Sequence, residues 1–154
     1  MPRRAIPFHL NDDAFQFRVE FSVGMTNSGG RILIVDDEPG LLKMMSVYLD
    51  RLGYSVTALN STDAACREVE ASPADFAVAV LDGSMPGMSM EALALRLLRA
   101  NPAMCVVAAS GYPVDMSAVE AAAPGRVALM PKPFTAEMLA ATVRRMSGTP
   151  EEEV

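Results

Sequence analysis

Three short, unbroken apolar runs constrain this chain most, Ile32-Leu33-Ile34-Val35, Phe76 to Leu81 and Val106-Val107-Ala108-Ala109, with Val127 to Met130 as the fifth strand. A run of that kind has no polar side to turn toward water, so it reads as a strand covered on both faces. Segments with apolar residues at helical spacing lie between the runs. Pro39 opens a helix to Leu52, with Leu41, Leu42, Met45, Tyr48, Leu49 and Leu52 on its apolar side, and Gly53 ends it. Val56 and Ala58 alternate with polar neighbours, so the second strand reads as an edge strand. Ser61 is a candidate N-cap for a helix to about Ala71. A loop from Gly83 to Met88 leads into a helix over about Ser89 to Ala100, a short helix spans about Asp115 to Ala123, and Thr135 caps a last one. Five strands alternating with five helices predict a parallel sheet with helices on both faces, an α/β fold. In such folds chemistry gathers beyond the carboxyl ends of the strands.

Each strand end can therefore be inspected for reactive groups. Asp36, Asp37 and Glu38 follow the first strand, Asp82 the third, Ser110 and Gly111 the fourth, and Lys132 and Pro133 the fifth. The second ends in Leu59-Asn60, with nothing comparable. Carboxylates crowded at one sheet edge repel one another, and a hard divalent cation relieves the repulsion. A lysine supplies a point charge for a phosphate oxygen, and a hydroxyl supplies a hydrogen bond to another. The set suits phosphoryl transfer, in which a carboxylate can serve as covalent nucleophile. Taken singly, Asp36-Asp37 reads as a solvated turn or helix cap, Ser110 as a satisfied strand end and Lys132 as an exposed lysine; their joint placement gives them weight.

These segments resemble the four signature stretches of response-regulator receiver domains: Ile32 to Pro39, Leu81-Asp82-Gly83-Ser84-Met85-Pro86-Gly87-Met88, Ala109-Ser110-Gly111-Tyr112, and Lys132-Pro133-Phe134. The resemblance covers roughly Arg31 to Ser147. It implies a flavodoxin-like, doubly wound, five-stranded parallel sheet in the order 2-1-3-4-5 with five helices. It also implies that Asp82 is the phosphoacceptor, and that Mg2+ is held by Asp37, Asp82 and the backbone carbonyl of Ser84 directly and by Asp36 largely through water. Ser110 matches the switch hydroxyl, Lys132 the lysine that pairs with phosphate, and the Lys132–Pro133 bond is cis in the family. The implied partners are a sensor histidine kinase or a histidine phosphotransfer protein, and a downstream protein target.

The chain departs from the family pattern in places. Leu129 stands where the family usually has an aromatic residue that swings inward as part of the switch, which leaves the readout open. Met90 replaces a usual glycine, so the loop into the third helix is expected to differ. Pro131 is tolerable if the fifth strand is an edge strand. Tyr112, two residues beyond Ser110, is a further switch candidate that could shape the access of attacking water.

Composition and charge narrow the alternatives. The 154 residues suffice for one domain of ordinary size, and 51% hydrophobic content supplies a core. A net charge of -6 argues against direct binding to nucleic acid. No apolar run approaches the ~20 residues needed to span a membrane, and the N-terminus makes a poor signal peptide, so a cytoplasmic location is expected. Cys66 and Cys105 read as small core residues, and the single histidine, His9, builds no metal site. The methionines read as core filling, with Met85 and Met88 as a minor candidate for a partner surface.

Residues 1–30 form an N-terminal extension, residues 31–147 the receiver domain and residues 148–154 an acidic tail. Phe15, Phe17, Val19 and Phe21 alternate with polar residues like a half-buried strand, and Thr26 to Gly30 reads as a flexible linker. Two readings are open: a strand docked on the domain or on a partner, or an upstream extension with Met25 near the functional start, which is slightly favoured. No output module is expected after the last helix.

Three functions compete. One is a phosphoacceptor receiver signalling by protein contact. Another is a pseudo-receiver that binds partners without being phosphorylated. The third is an aspartate-nucleophile phosphohydrolase, which needs an acid two residues after the nucleophile, where this chain has Ser84. The first is preferred, with no enzymatic activity expected beyond Mg2+-dependent self-phosphorylation and autodephosphorylation.

Overall fold

The structure, a computed structural model, describes residues 4–6, 18–22 and 30–148. His9, Phe15, Phe17, Met25 and most of the expected linker and of the acidic tail lie outside the described residues. In chain order the strands are β1 (Arg4–Ile6), β2 (Arg18–Ser22), β3 (Arg31–Val35), β4 (Ser55–Leu59), β5 (Phe76–Asp82), β6 (Cys105–Ser110) and β7 (Val127–Pro131). The helices are α1 (Pro39–Arg51), α2 (Thr62–Ala71), α3 (Met90–Ala100), α4 (Ser117–Ala122) and α5 (Ala136–Ser147).

Among the described residues the seven strands form one sheet in the order β1-β2-β4-β3-β5-β6-β7. The run β4-β3-β5-β6-β7 is parallel throughout. These five strands and five helices make the flavodoxin-like, doubly wound 2-1-3-4-5 arrangement.

The unbroken apolar runs acquire their reason here. Alternate residues of one strand serve opposite faces. Leu33, Ala79, Leu81, Val106 and Ala108 pack with Val69, Leu93, Leu97 and Val119 from α2, α3 and α4. Ile32, Ile34, Val78, Val80 and Val107 pack with Leu42, Leu49, Leu139 and Val143 from α1 and α5. A polar residue in the middle of β3 would have no wet side to occupy.

The helix ends follow local chemistry. Pro39 starts α1, and Gly53 beyond its end takes φ +96°, a left-handed turn that a side chain would strain. Ser61, Ser89 and Thr135 each accept a hydrogen bond from an N–H in the first turn of α2, α3 and α5. The short helix starts later than expected: Asp115 Oδ1 accepts from the Ser117 N–H (3.0 Å) and hydroxyl (2.6 Å), and this turn occupies the place of the first helical residues.

One expectation is corrected. β4 is not an edge strand, because β2 pairs with it antiparallel, Arg18 opposite Leu59 and Phe21 opposite Val56, and β1 pairs in turn with β2. Nor does the polarity of Thr57 mark a wet face. Thr57 is fully buried, and its hydroxyl accepts from the Arg31 guanidinium at 3.2 Å. The fifth parallel strand, β7, does close the sheet order, and its last residue, Pro131, sits where a missing N–H costs little.

Candidate functional site

The parallel sheet carries its strand ends to one edge, and the reactive residues arrive there as the connections dictate. Asp36 is the first residue past β3, nearly fully buried; its N–H donates to the Leu59 carbonyl (3.1 Å), and its Oδ1 accepts from the Glu38 N–H (2.9 Å). Asp37, next along, is exposed. Asp82 is the last residue of β5, buried and paired with Ala109 of β6. Ser110 ends β6, and its carbonyl accepts from the Lys132 N–H at 2.8 Å, which fixes the start of the loop after β7. The Lys132–Pro133 bond is cis.

Lys132 closes the cluster. Its Nζ stands 3.0 Å from Asp82 Oδ1 and 3.2 Å from Asp36 Oδ2. Oxygen atoms of Asp36, Asp37 and Asp82 all lie within 4.8 Å of one another. Burial and the Asp82 charge push the Asp36 carboxyl above its ordinary value, against the Glu38 N–H and Lys132. Burial depresses the Lys132 ammonium, but its bonds to Asp82 and Asp36 outweigh that and raise it. Three carboxylates against one ammonium leave negative charge uncompensated when all are ionised. An all-oxygen carboxylate set of this kind fits a hard divalent cation.

Ser84 stands beside Asp82. Its hydroxyl donates to the Asp82 carboxylate (3.1 and 3.2 Å), and its N–H points to Asp82 Oδ1 at 3.3 Å. The Ser110 hydroxyl donates to the Tyr112 carbonyl (2.8 Å) and accepts from the Tyr112 N–H (3.2 Å). The Tyr112 hydroxyl donates to the Gly83 carbonyl at 2.6 Å. Leu129 points outward and is 59% exposed.

Gly83 was not singled out from the sequence. A Cβ there would stand 3.1 Å from both Cβ and Oγ of Ser110, so glycine lets the β5 and β6 loops approach. A glycine directly after an acid at a buried strand end was the available signal. Met90, in place of the family's usual glycine, begins α3 and packs into the core beside this contact. Met85 and Met88 are partly buried against the same core, which favours their reading as filling.

The model of the response regulator receiver domain matches residues 32–144. The chain is 30% identical over 115 residues to the C4-dicarboxylate transport transcriptional regulatory protein DctD of Rhizobium meliloti, covering 74% of this chain and 24% of that protein. It is 29% identical over 129 residues to the sensor kinase CckA of Brucella abortus, covering 84% of this chain and 14% of the kinase. The chain thus spans a quarter or less of these two relatives. A receiver domain protein from Clostridium thermocellum shares the fold with a TM-score of 0.68 at 24% identity, over 77% of this chain and 94% of that one.

The chain belongs to the response regulator receiver domain family of two-component signalling.

Proposed function

We propose that Asp82 accepts a phosphoryl group, with Mg2+ bound at the strand ends, and that residues 31–147 act as the signalling unit. The observation that carries this reading is the clustering of Asp36, Asp37 and Asp82 within 4.8 Å, with the Lys132 ammonium 3.0 Å from Asp82. Asp36, Asp37 and Asp82 would hold the ion, together with the Ser84 carbonyl as the resemblance implies. When bound, the cation neutralises charge on the transferring group. An Asp82 carboxylate oxygen attacks phosphorus, and the bond from phosphorus to the donor's leaving atom breaks. Lys132, already at Asp82, is placed to pair with a phosphoryl oxygen.

The donor would be a sensor histidine kinase or a histidine phosphotransfer protein, and the output a protein contact. Kinases and phosphotransfer proteins of that kind imply a cytoplasmic place. Among the described residues no helix is long and apolar enough to cross a membrane.

The test is incubation with acetyl phosphate and Mg2+. A hydroxylamine-sensitive gain of one phosphoryl mass, lost in Asp82→Asn and with chelator, is the expected result. No such gain would reject the reading. The pseudo-receiver reading draws on one observation, the outward Leu129. It predicts no Mg2+ binding that depends on Asp82.

A further inference from the structure

The Gly83–Ser84 peptide unit stands between Asp82 and Tyr112. Its N–H faces Asp82 Oδ1 at 3.3 Å, and its carbonyl receives the Tyr112 hydroxyl at 2.6 Å. A second path joins Gly83 to Tyr112. Ser110 lies against Gly83, and its hydroxyl donates to the Tyr112 carbonyl at 2.8 Å while accepting from the Tyr112 N–H at 3.2 Å. Tyr112 is thus held at both ends, by its backbone through Ser110 and by its ring through Gly83. Its ring is nevertheless half-exposed, so these hydrogen bonds rather than burial keep it in place.

A serine hydroxyl has a single proton to donate. In this arrangement the proton serves the Tyr112 carbonyl. A doubly charged phosphoryl group on Asp82 would be a stronger acceptor than a neutral carbonyl, because hydrogen bonds to ionised oxygens are roughly twice as strong. Turning the Ser110 hydroxyl to such an acceptor removes the bonds that fix the Tyr112 backbone. A cavity of about 300 Å3, lined by Tyr112, Pro113, Val114, Leu129 and Met130, adjoins the ring.

We propose that Tyr112 reports the state of Asp82: its hydroxyl clasps the Gly83 carbonyl while Asp82 is unmodified, and a phosphoryl group on Asp82 opens the clasp by drawing away the Ser110 proton. The inference rests on the phosphoacceptor reading of Asp82. It places the readout on the loop after β6, where an aromatic residue is present, and not on β7, where Leu129 stands.

The clasp stabilises the unmodified state alone, so removing it favours the modified one. The experiment is equilibrium binding of beryllofluoride, a phosphoryl mimic for a carboxylate, to the full chain with Mg2+. Tyr112→Phe keeps the ring and deletes only the hydroxyl. It should bind the mimic roughly three- to tenfold more tightly than the wild type, the effect of one lost neutral hydrogen bond. In a Ser110→Ala background, where no proton links the two sites, the same substitution should leave the affinity unchanged. Equal or weaker binding by Tyr112→Phe overturns the proposal and leaves Asp82 as phosphoacceptor intact. A gain that persists in Ser110→Ala overturns it as well. Absence of any Asp82-dependent binding by the wild type rejects the phosphoacceptor reading and the clasp together.

Discussion

Lys132 and Asp82 are fifty positions apart in the chain, and their side chains meet at 3.0 Å beyond the ends of two strands. The same ammonium reaches Asp36 at 3.2 Å, so one cation holds two buried carboxylates together. Lys132→Met should therefore destabilise the protein in chelator by on the order of 1–3 kcal/mol, the cost of unpairing hydrogen-bonded charges. Urea unfolding with and without Mg2+ checks this; the ion should recover part of the loss. A variant as stable as the wild type in chelator would mean that the contact is energetically idle.

Asp82→Asn acts in the opposite sense. It removes a negative charge beside Asp36 and Asp37 while Lys132 keeps Asp36 as partner. In chelator the melting temperature should rise, by roughly 2–4 °C for each kcal/mol of repulsion relieved. Mg2+ should raise the wild type more than the variant. Thermal unfolding in the two conditions measures both effects, and a lower melting temperature for the variant in chelator would contradict the crowding.

The dependence on pH follows from Asp36, whose carboxyl is raised above its ordinary 3.8 by burial and by Asp82. A raised acid favours the folded state while protonated. Its contribution is complete below 3.8 and is lost as pH climbs through the higher folded value. In chelator, the stability of the wild type relative to Asp36→Asn should fall from pH ~4 upward. Denaturant midpoints of the two proteins across the acid range test this, and a gap that does not change with pH would refute it. Lys132 is also raised, above 10.5, so its contribution persists through neutral pH and is lost only as pH passes the higher folded value.

Leu129 and Met130 are neighbours on β7 with opposite surroundings, 59% and 3% exposed. Leu129→Gln should change stability by no more than about 0.5 kcal/mol. Met130→Ala leaves a cavity in the layer under α5 and should cost about 2–5 kcal/mol. Equal costs for the two would show that β7 does not present its faces as described.

Pattern reading reaches β3 and β5 securely, because a strand buried on both faces must be apolar at every position. It reaches the termini of α1, α2, α3 and α5 because proline, serine, threonine and glycine act there within a few residues of themselves. The gathering of Asp36, Asp37, Asp82 and Lys132 is legible for a topological reason: parallel strands deliver their carboxyl ends to one edge. The setting of β4 is not legible, because Thr57 looks solvent-facing until Arg31 is brought beside it, and because β2, which covers β4, lies far upstream in the chain.

The sequence by itself determined that β3, β5 and β6 are buried strands, their parallel layout and which carboxylates and lysine gather at the strand ends. Those are properties of periodicity and of chain order, and each can be read from a residue and its near neighbours. Tertiary structure alone decided how the gathered side chains are wired. Lys132 divides itself between Asp36 and Asp82, the Ser84 hydroxyl turns onto Asp82, and Tyr112 ties the loop after β6 to Gly83. Hydrogen bonds depend on distances of a few ångström between segments that are remote in the chain, and such distances exist only once the sheet has closed.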